Sequence, residues 1–202
     1  MMVLQIYQQN GYWKNLRNPI LRCCIQIILA LLQRATAELP QRQAGRYILP
    51  LDADDKIEPT YLEKAVSILE SNNKIGVVYC YAELFGKKKG RWNLPDYSLS
   101  RMLLDNIVFV SAVFYRADWE AVGFCEDLVY GLEDYDFWLS ILELGREIYQ
   151  IPEVLFRYRI KKKSRTTRLN DSYEKMQATY QRIFKNHKNL YKRNYDVVIP
   201  EL

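Results

Sequence analysis

The sequence predicts an α/β fold, and three observations carry that expectation. The apolar run Tyr47-Ile48-Leu49-Pro50-Leu51 reads as a strand buried on both faces, and it ends in the carboxylates of Asp52, Asp54 and Asp55. Strand-like and helix-like stretches alternate from Gly45 onward. The chain has 202 residues, 49% of them hydrophobic, which is enough for one full domain with a sizeable core.

The elements follow in order. Pro50 weakens the first strand slightly, because proline donates nothing to a sheet ladder. Pro59 favours a first helical turn, so a helix is expected through Ser71, with Leu62, Ala65, Val66, Ile68 and Leu69 on one stripe. Asn72-Asn73-Lys74 is a turn. Ile75 to Phe85, rich in Val and Tyr, is a strand. Gly86 to Gly90 is a basic turn that could close a hairpin. Ser98 caps a short helix to Asp105. Val108 to Tyr115 is an apolar strand, and Ala117 to Val122 a helical turn ended by Gly123. Leu132 to Leu144 is a helix, with Gly145 suited to the left-handed position after it. Glu147–Ile151 and Val154–Ile160 are two strands split by Pro152. An amphipathic helix from about Asn170 to Tyr191 closes the chain.

Composition excludes several classes of chemistry. His187 is the only histidine, which rules out a multi-histidine metal site, and it sits in a basic C-terminal segment, which argues against a Ser-His-Asp triad. The four cysteines, Cys23, Cys24, Cys80 and Cys125, form no Cys-x-x-Cys pair and no evident disulfide framework, which suits a reducing cytoplasm. The net charge of +5 is modest, and much of it lies in Lys87-Lys88-Lys89, Lys161-Lys162-Lys163 and the C-terminal helix. It fits an anionic substrate or an anionic membrane surface, with no demand for nucleic acid. Each run taken alone also reads as a solvated face. The apolar stretch Ile20 to Leu32 is too short to span a bilayer, and the early residues do not resemble a signal peptide.

Two acidic clusters carry the chemistry. Three acids at a strand's end repel one another unless a cation lies between them, and a divalent metal with oxygen ligands is the usual answer. In open α/β sheets ligands bind beyond the carboxyl ends of the strands, where this cluster falls. The bland reading is an acidic turn in which Asp55 or Thr60 caps the next helix. The second cluster, Glu133-Asp134-Tyr135-Asp136, occupies a helix's first turn, where the dipole favours carboxylates without any further role. Glu133 and Asp134 point about 100° apart, so one can face a cleft while the other holds the loop. An ionised carboxylate facing a cleft is a competent general base.

Taken together, Leu51-Asp52-Ala53-Asp54-Asp55, Gly123-Phe124, Gly131-Leu132-Glu133-Asp134-Tyr135-Asp136-Phe137-Trp138 and Tyr158-Arg159 resemble family 2 glycosyltransferases in order and spacing. Asn106-Ile107-Val108-Phe109-Val110-Ser111-Ala112-Val113-Phe114-Tyr115-Arg116 is similar to theirs as well. The resemblance covers about residues 45 to 167. It implies a GT-A fold, Rossmann-like, and sugar transfer from a nucleotide-sugar donor to a hydroxyl of a saccharide or lipid-linked saccharide, with inversion. It implies that Asp52 and Asp54 hold Mn²⁺ or Mg²⁺ on the donor diphosphate, that Asp134 is the base and that Glu133 stands beside it. The cysteine usage and the basic excess add the expectation of a cytoplasmic protein, with the inner face of the membrane as a site of peripheral contact.

Two departures from the family pattern stand out. Many members carry a histidine near the metal after Tyr-Arg, and here Ile160-Lys161 follows Tyr158-Arg159. A protonated Lys161 is no metal ligand, but it could contact a donor phosphate directly. The larger departure is that the family's first βαβ unit, which binds the nucleotide base, is not recognisable before Gly45. Residues 1–44 hold seven Gln, one Glu and no Asp, and a helix from about Pro19 to Glu38 is expected there. Codon arithmetic offers an explanation. When the last base of each codon is read with the first two of the next, Met1-Met2-Val3 forces Asp-Gly. Tyr12-Trp13-Lys14 likewise forces Leu-Glu, and Leu29 to Leu39 permits Gly-Leu-Ser-Ala-Ala-Arg-Asn-x-Gly-Ile when each position is taken singly, with Leu and Ser requiring different codons for Leu31; both are in the family's order. Residues 1–44 are therefore read as out-of-frame translation, 45–167 as the transferase domain and 168–202 as a helical extension. The alternative for residues 1–44 is a genuine but divergent N-terminus.

A chain built this way is expected to be inactive as written, marginally folded, and left with an unpaired flank on the Tyr47–Leu51 strand. Two other functions compete with sugar transfer. One is an aspartyl-phosphate phosphatase with Asp52 as nucleophile, although Lys56 stands where that class wants Thr or Val. The other is a non-catalytic binding remnant.

Overall fold

A computed structural model of the chain describes residues 25–28, 45–52, 54–123, 128, 131–161 and 172–199. Its centre is a mixed sheet in the order β1-β2-β6-β4-β7-β3, with β5 paired to β4. In chain order the strands are β1 Ile25–Ile28, β2 Tyr47–Pro50, β3 Lys56–Ile57, β4 Ile75–Gly86, β5 Gly90–Arg91, β6 Val113–Tyr115 and β7 Glu147–Ile160. The helices are α1 Tyr61–Ser71, α2 Leu99–Leu104, α3 Arg116–Val122, α4 Glu133–Glu143, α5 Tyr173–Asn186, α6 Lys188–Arg193 and α7 Tyr195–Val198.

Strand β2 is buried along its whole length, as its unbroken apolar run requires. Helix α1 buries Tyr61, Leu62, Ala65, Val66 and Leu69. Ser98 caps α2 by accepting the Arg101 amide, as expected. The Gly86–Gly90 turn does close a hairpin, in which Glu83 pairs with Arg91 and Leu84 with Gly90.

Five expectations are corrected. The helix expected over Pro19 to Glu38 is contradicted at Ile25–Ile28, which form a strand parallel to β2 with Ile25 opposite Tyr47 and Ile28 opposite Pro50. Strand β2 therefore has β1 on one side and β6 on the other, and the unpaired flank does not exist. The rest of that expected helix lies outside the described residues.

The strand expected over Val108 to Tyr115 shrinks to Val113–Tyr115. Its first half spends its carbonyls elsewhere: Val108 O accepts from Trp138 Nε1 at 3.2 Å and Ser111 O from Tyr61 OH at 2.9 Å. The two strands expected around Pro152 are one strand. Its ladder with β4 steps from Ile151 opposite Cys80 to Val154 opposite Tyr81, so Pro152 and Glu153 bulge out where no proline N–H is needed. The closing helix is broken into three at His187 and Asn194, and its expected start at Asn170 lies outside the described residues.

Candidate functional site

Topology gathers the two acidic clusters at one end of the sheet. Strands β2 and β4 each run antiparallel to β6, so their carboxyl ends lie beside the start of β6. The segment 105–112 that leads into β6 is thus at the carboxyl end of β2, next to Asp52, Asp54 and Asp55. Trp138 and Tyr61 pin that segment in place. From it, the Asn106 side chain hydrogen-bonds Asp134 at the start of α4. From the same segment, Phe109 stacks on Trp92 (centroids 6.1 Å apart), and Trp92 stacks on Tyr158 at 4.9 Å. Tyr158 lies within electrostatic reach of Asp52, Asp54 and Asp55. One loop therefore touches the surroundings of both clusters.

Each acid of the first cluster has its own surroundings. Asp54 Oδ2 lies 2.8 Å from Lys161 Nζ and 3.8 Å from Arg159 Nε. The Arg159 side chain also donates to the Asp54 carbonyl at 3.0 Å. Asp55 is buried and accepts the backbone N–H of Arg159 at 2.8 Å, which ties the cluster to the end of β7. Burial, with Asp52 and Asp54 adding to it, pushes the Asp55 carboxyl up to about 7. The capping reading is corrected here, since Thr60 makes no side-chain cap bond and Asp55 is spent on Arg159. Lys161 is drawn to the site by Asp54, whose hydrogen bond holds its ammonium pKa above the usual value.

The donor set fits a hard divalent cation of a particular kind. Among the described residues no group of three or more His, Cys, Asp or Glu side chains could hold a metal by itself. Mg²⁺ and Mn²⁺ are commonly held by one or two carboxylates, with substrate phosphates and water filling the remaining positions. Asp52 and Asp54 would be two such carboxylates, and Lys161 at 2.8 Å from Asp54 shows that the spot attracts a cation.

The second cluster divides its labour. Helix α4 starts after Gly131 at φ 133° and Leu132 at φ 64°, the latter the one non-glycine residue with positive φ among the described residues. Backbone strain of this kind collects at functional sites. Asp134 Oδ1 accepts the Tyr135 amide at 2.9 Å. The residue keeps some surface, yet its carboxyl is closely packed, and burial followed by the nearby Glu133 pushes it up to about 6. The expectation that a helix terminus keeps it fully ionised is thereby modified, because desolvation outweighs the dipole. Glu133 is buried beside it. Asp136 faces away from both: its Oδ1 accepts from Asn186 Nδ2 at 2.8 Å and lies 3.1 Å from His187 Nε2.

The structure brings Asp52, Asp54 and Lys161 together, and it places Glu133 and Asp134 side by side at the same end of the sheet. Sequence reasoning missed Asn106 and Asp55 as positioning groups. Asn106 stood within the family-like segment, but nothing local marked its partner. Phe124, Lys162 and Lys163 lie outside the described residues.

No protein-family profile matches the chain. It is 29% identical over 134 residues to an uncharacterized glycosyltransferase of Haemophilus influenzae, a match that spans 58% of this chain and 41% of that protein. It is 26% identical over 154 residues to the amylovoran biosynthesis glycosyltransferase AmsE of Erwinia amylovora, covering 73% of this chain and 56% of that one. The chain thus spans about half the length of these curated relatives. In structure it resembles Staphylococcus aureus TarS 1-349 in complex with UDP-GlcNAc, with a TM-score of 0.50, 13% identity, and 75% of this chain aligned to 49% of that one. TarS 1-349 in a second crystal structure aligns with the same TM-score at 16% identity, over 74% of this chain and 43% of that one. The structural likeness shows the fold, and the sequence relatives support sugar transfer at a general level. The phosphatase alternative is not favoured. Among the described residues no helix is long and apolar enough to cross a membrane.

Proposed function

We propose that this chain carries the catalytic part of an inverting family 2 glycosyltransferase, which moves a sugar from a nucleotide-sugar donor to a hydroxyl of a saccharide or lipid-linked saccharide. One observation supports it above others. A carboxyl tuned to about 6, on Asp134, stands at the same end of the sheet as the Asp52–Asp54–Asp55 cluster. TarS was crystallised with UDP-GlcNAc, which is consistent with a nucleotide-sugar donor in this fold.

The roles follow from the chemistry. Asp134 takes the proton of the acceptor hydroxyl as that oxygen attacks the anomeric carbon. A base with a pKa near 6 is mostly ionised at neutral pH and still accepts a proton usefully. A single displacement needs no second carboxylate as nucleophile and inverts the centre. Asn106 holds the Asp134 carboxyl in place, and Glu133 beside it raises its proton affinity. Asp52 and Asp54 would hold Mn²⁺ or Mg²⁺, which when bound neutralises charge on the leaving diphosphate. Lys161 offers a further positive charge to that diphosphate once it turns from Asp54.

Asp54→Ala is the direct test of the first cluster. It should abolish Mn²⁺- or Mg²⁺-dependent binding of a nucleoside diphosphate, measured by calorimetry with and without metal. Metal-dependent binding that persists unchanged in this variant would remove Asp54 from the assignment.

A further inference from the structure

Beside the acidic cluster the sheet ends in a basic corner, of which the proposed reaction leaves Lys56 and Lys87–Lys89 unused. The parallel ladder of β4 and β7 runs out at Gly86 opposite Ile160. The next residue on one strand is Lys87, whose amide donates to Ile160 O at 3.2 Å. The next residue on the other strand is Lys161. Lys87, Lys88 and Lys89 follow in sequence through an exposed turn.

Gly86 has φ 95°, and a Cβ there would meet Ile160 O at 2.8 Å, so the turn leaves the ladder in a direction only glycine permits readily. Just before the turn, the Phe85 ring carries Arg159 at 4.4 Å on one approach and Lys56 Nζ at 5.3 Å on another. The corner therefore carries six cations along its backbone and flank: Lys56, Lys87, Lys88, Lys89, Arg159 and Lys161. Three carboxylates, Asp52, Asp54 and Asp55, stand against them. Lys161 and Arg159 engage Asp54. Among the described residues no carboxylate lies within ion-pair distance of Lys87, Lys88 or Lys89, whereas the neighbouring Arg157 is matched by Glu58 at 3.0 Å and Glu83 at 3.8 Å.

Consecutive exposed lysines on one turn, beside Lys56 and Arg159 on the Phe85 ring, raise the local positive potential and create a mutual repulsion across water. An anion of two or more charges relieves it. We propose that the Lys87–Lys89 turn, with Lys56 at its flank, is a binding site for a phosphate-bearing group, in addition to any diphosphate held at Asp52 and Asp54. The group belongs to the acceptor, presented at the edge of the site where its sugar hydroxyl could reach Asp134. That last assignment rests on the transferase reading, whereas the anion binding itself does not.

Pyrophosphate is the soluble probe, and vesicles containing phosphatidylglycerol are the membrane probe. Both are measured in EDTA, so that no metal at Asp54 contributes. The triple variant Lys87→Gln, Lys88→Gln, Lys89→Gln alters only exposed side chains and should melt like wild type. Wild type should bind at least one probe, and the triple variant should bind it about tenfold more weakly, with the loss shrinking in high salt. Loss confined to pyrophosphate identifies a soluble phosphate, and loss confined to vesicles a lipid headgroup. Equal binding by wild type and triple variant, or no binding of either probe by wild type, overturns the proposal. Asp54→Ala serves as the separate control: it frees Lys161 and removes a neighbouring negative charge, so binding in EDTA should hold or strengthen, and failure of the transferase reading shows only in the metal-dependent measurement.

Discussion

Asp134 is the residue on which the proposed chemistry turns, and its environment makes the prediction quantitative. Its carboxyl is pushed up to about 6, first by burial and then by Glu133. The active form is the carboxylate, so kcat/KM should rise with pH through about 6 and level off above it. Stability should move the other way. A carboxyl that holds its proton more tightly in the folded chain than in the unfolded one costs stability once both are ionised, so stability declines as pH rises from about 4 to about 6. Asp134→Asn keeps the shape and cannot accept the proton. It should lower turnover by about a hundredfold or more while donor affinity stays near wild type. Undiminished turnover in this variant would move the base to Glu133, since Asp136, the other sequence candidate, is spent on Asn186 and His187. At this scale the sequence was legible for identity and silent on environment. Asp134 stood out by its motif, but Asn106, 28 positions upstream, is its partner only because segment 105–112 is pinned by Trp138 and Tyr61.

At the scale of elements, the joint between α4 and the C-terminal helices was invisible in the sequence, where His187 stood alone in a basic run. In the structure it is 3% exposed, between Asp136 at 3.1 Å from Nε2 and Glu143 at 3.2 Å from Nδ1. Burial lowers its pKa, but the two carboxylates outweigh burial and leave it raised. Each carboxylate sits on α4, at opposite ends of the helix, so the imidazolium clamps α5 and α6 along its length. A raised histidine contributes stability that is fully present below its unfolded pKa of about 6.5 and is lost as pH climbs through the folded value. Melting curves of wild type and His187→Gln, taken from about pH 6 to pH 9, should therefore converge as pH rises. At the acid end the variant should be less stable by about 1.5–3 kcal/mol, the worth of hydrogen bonds to a charged group. Curves that stay parallel across that range would show that His187 is neutral in its pocket.

For the whole molecule, the open matter is whether residues 1–44 belong to the fold, and β1 makes it answerable. Codon arithmetic reads the segment as out-of-frame, and its apolar composition predicts a helix, yet Ile25–Ile28 lie as a strand beside β2. A short run of Ile and Gln fits either state, because periodicity cannot separate a buried strand from a buried helix over four residues. Isoleucine, branched at Cβ, leans toward the strand. Strand and helix differ sharply, however, in what proline does to them. Successive N–H groups of a strand point to opposite edges, and in the described sheet β1 is the terminal strand, with β2 on one side. Of Gln26→Pro and Ile27→Pro, one therefore removes a ladder hydrogen bond to β2 and the other removes an N–H that faces away. One variant should lose a few kcal/mol of stability and the other much less, since proline is tolerated at an edge. In a helix interior both would be costly, by about 3 kcal/mol each. If neither variant changes the melting temperature, the segment contributes nothing to the folded chain, as an out-of-frame stretch would. An unequal pair shows that Ile25–Ile28 are a working strand of the sheet, whatever the origin of their codons.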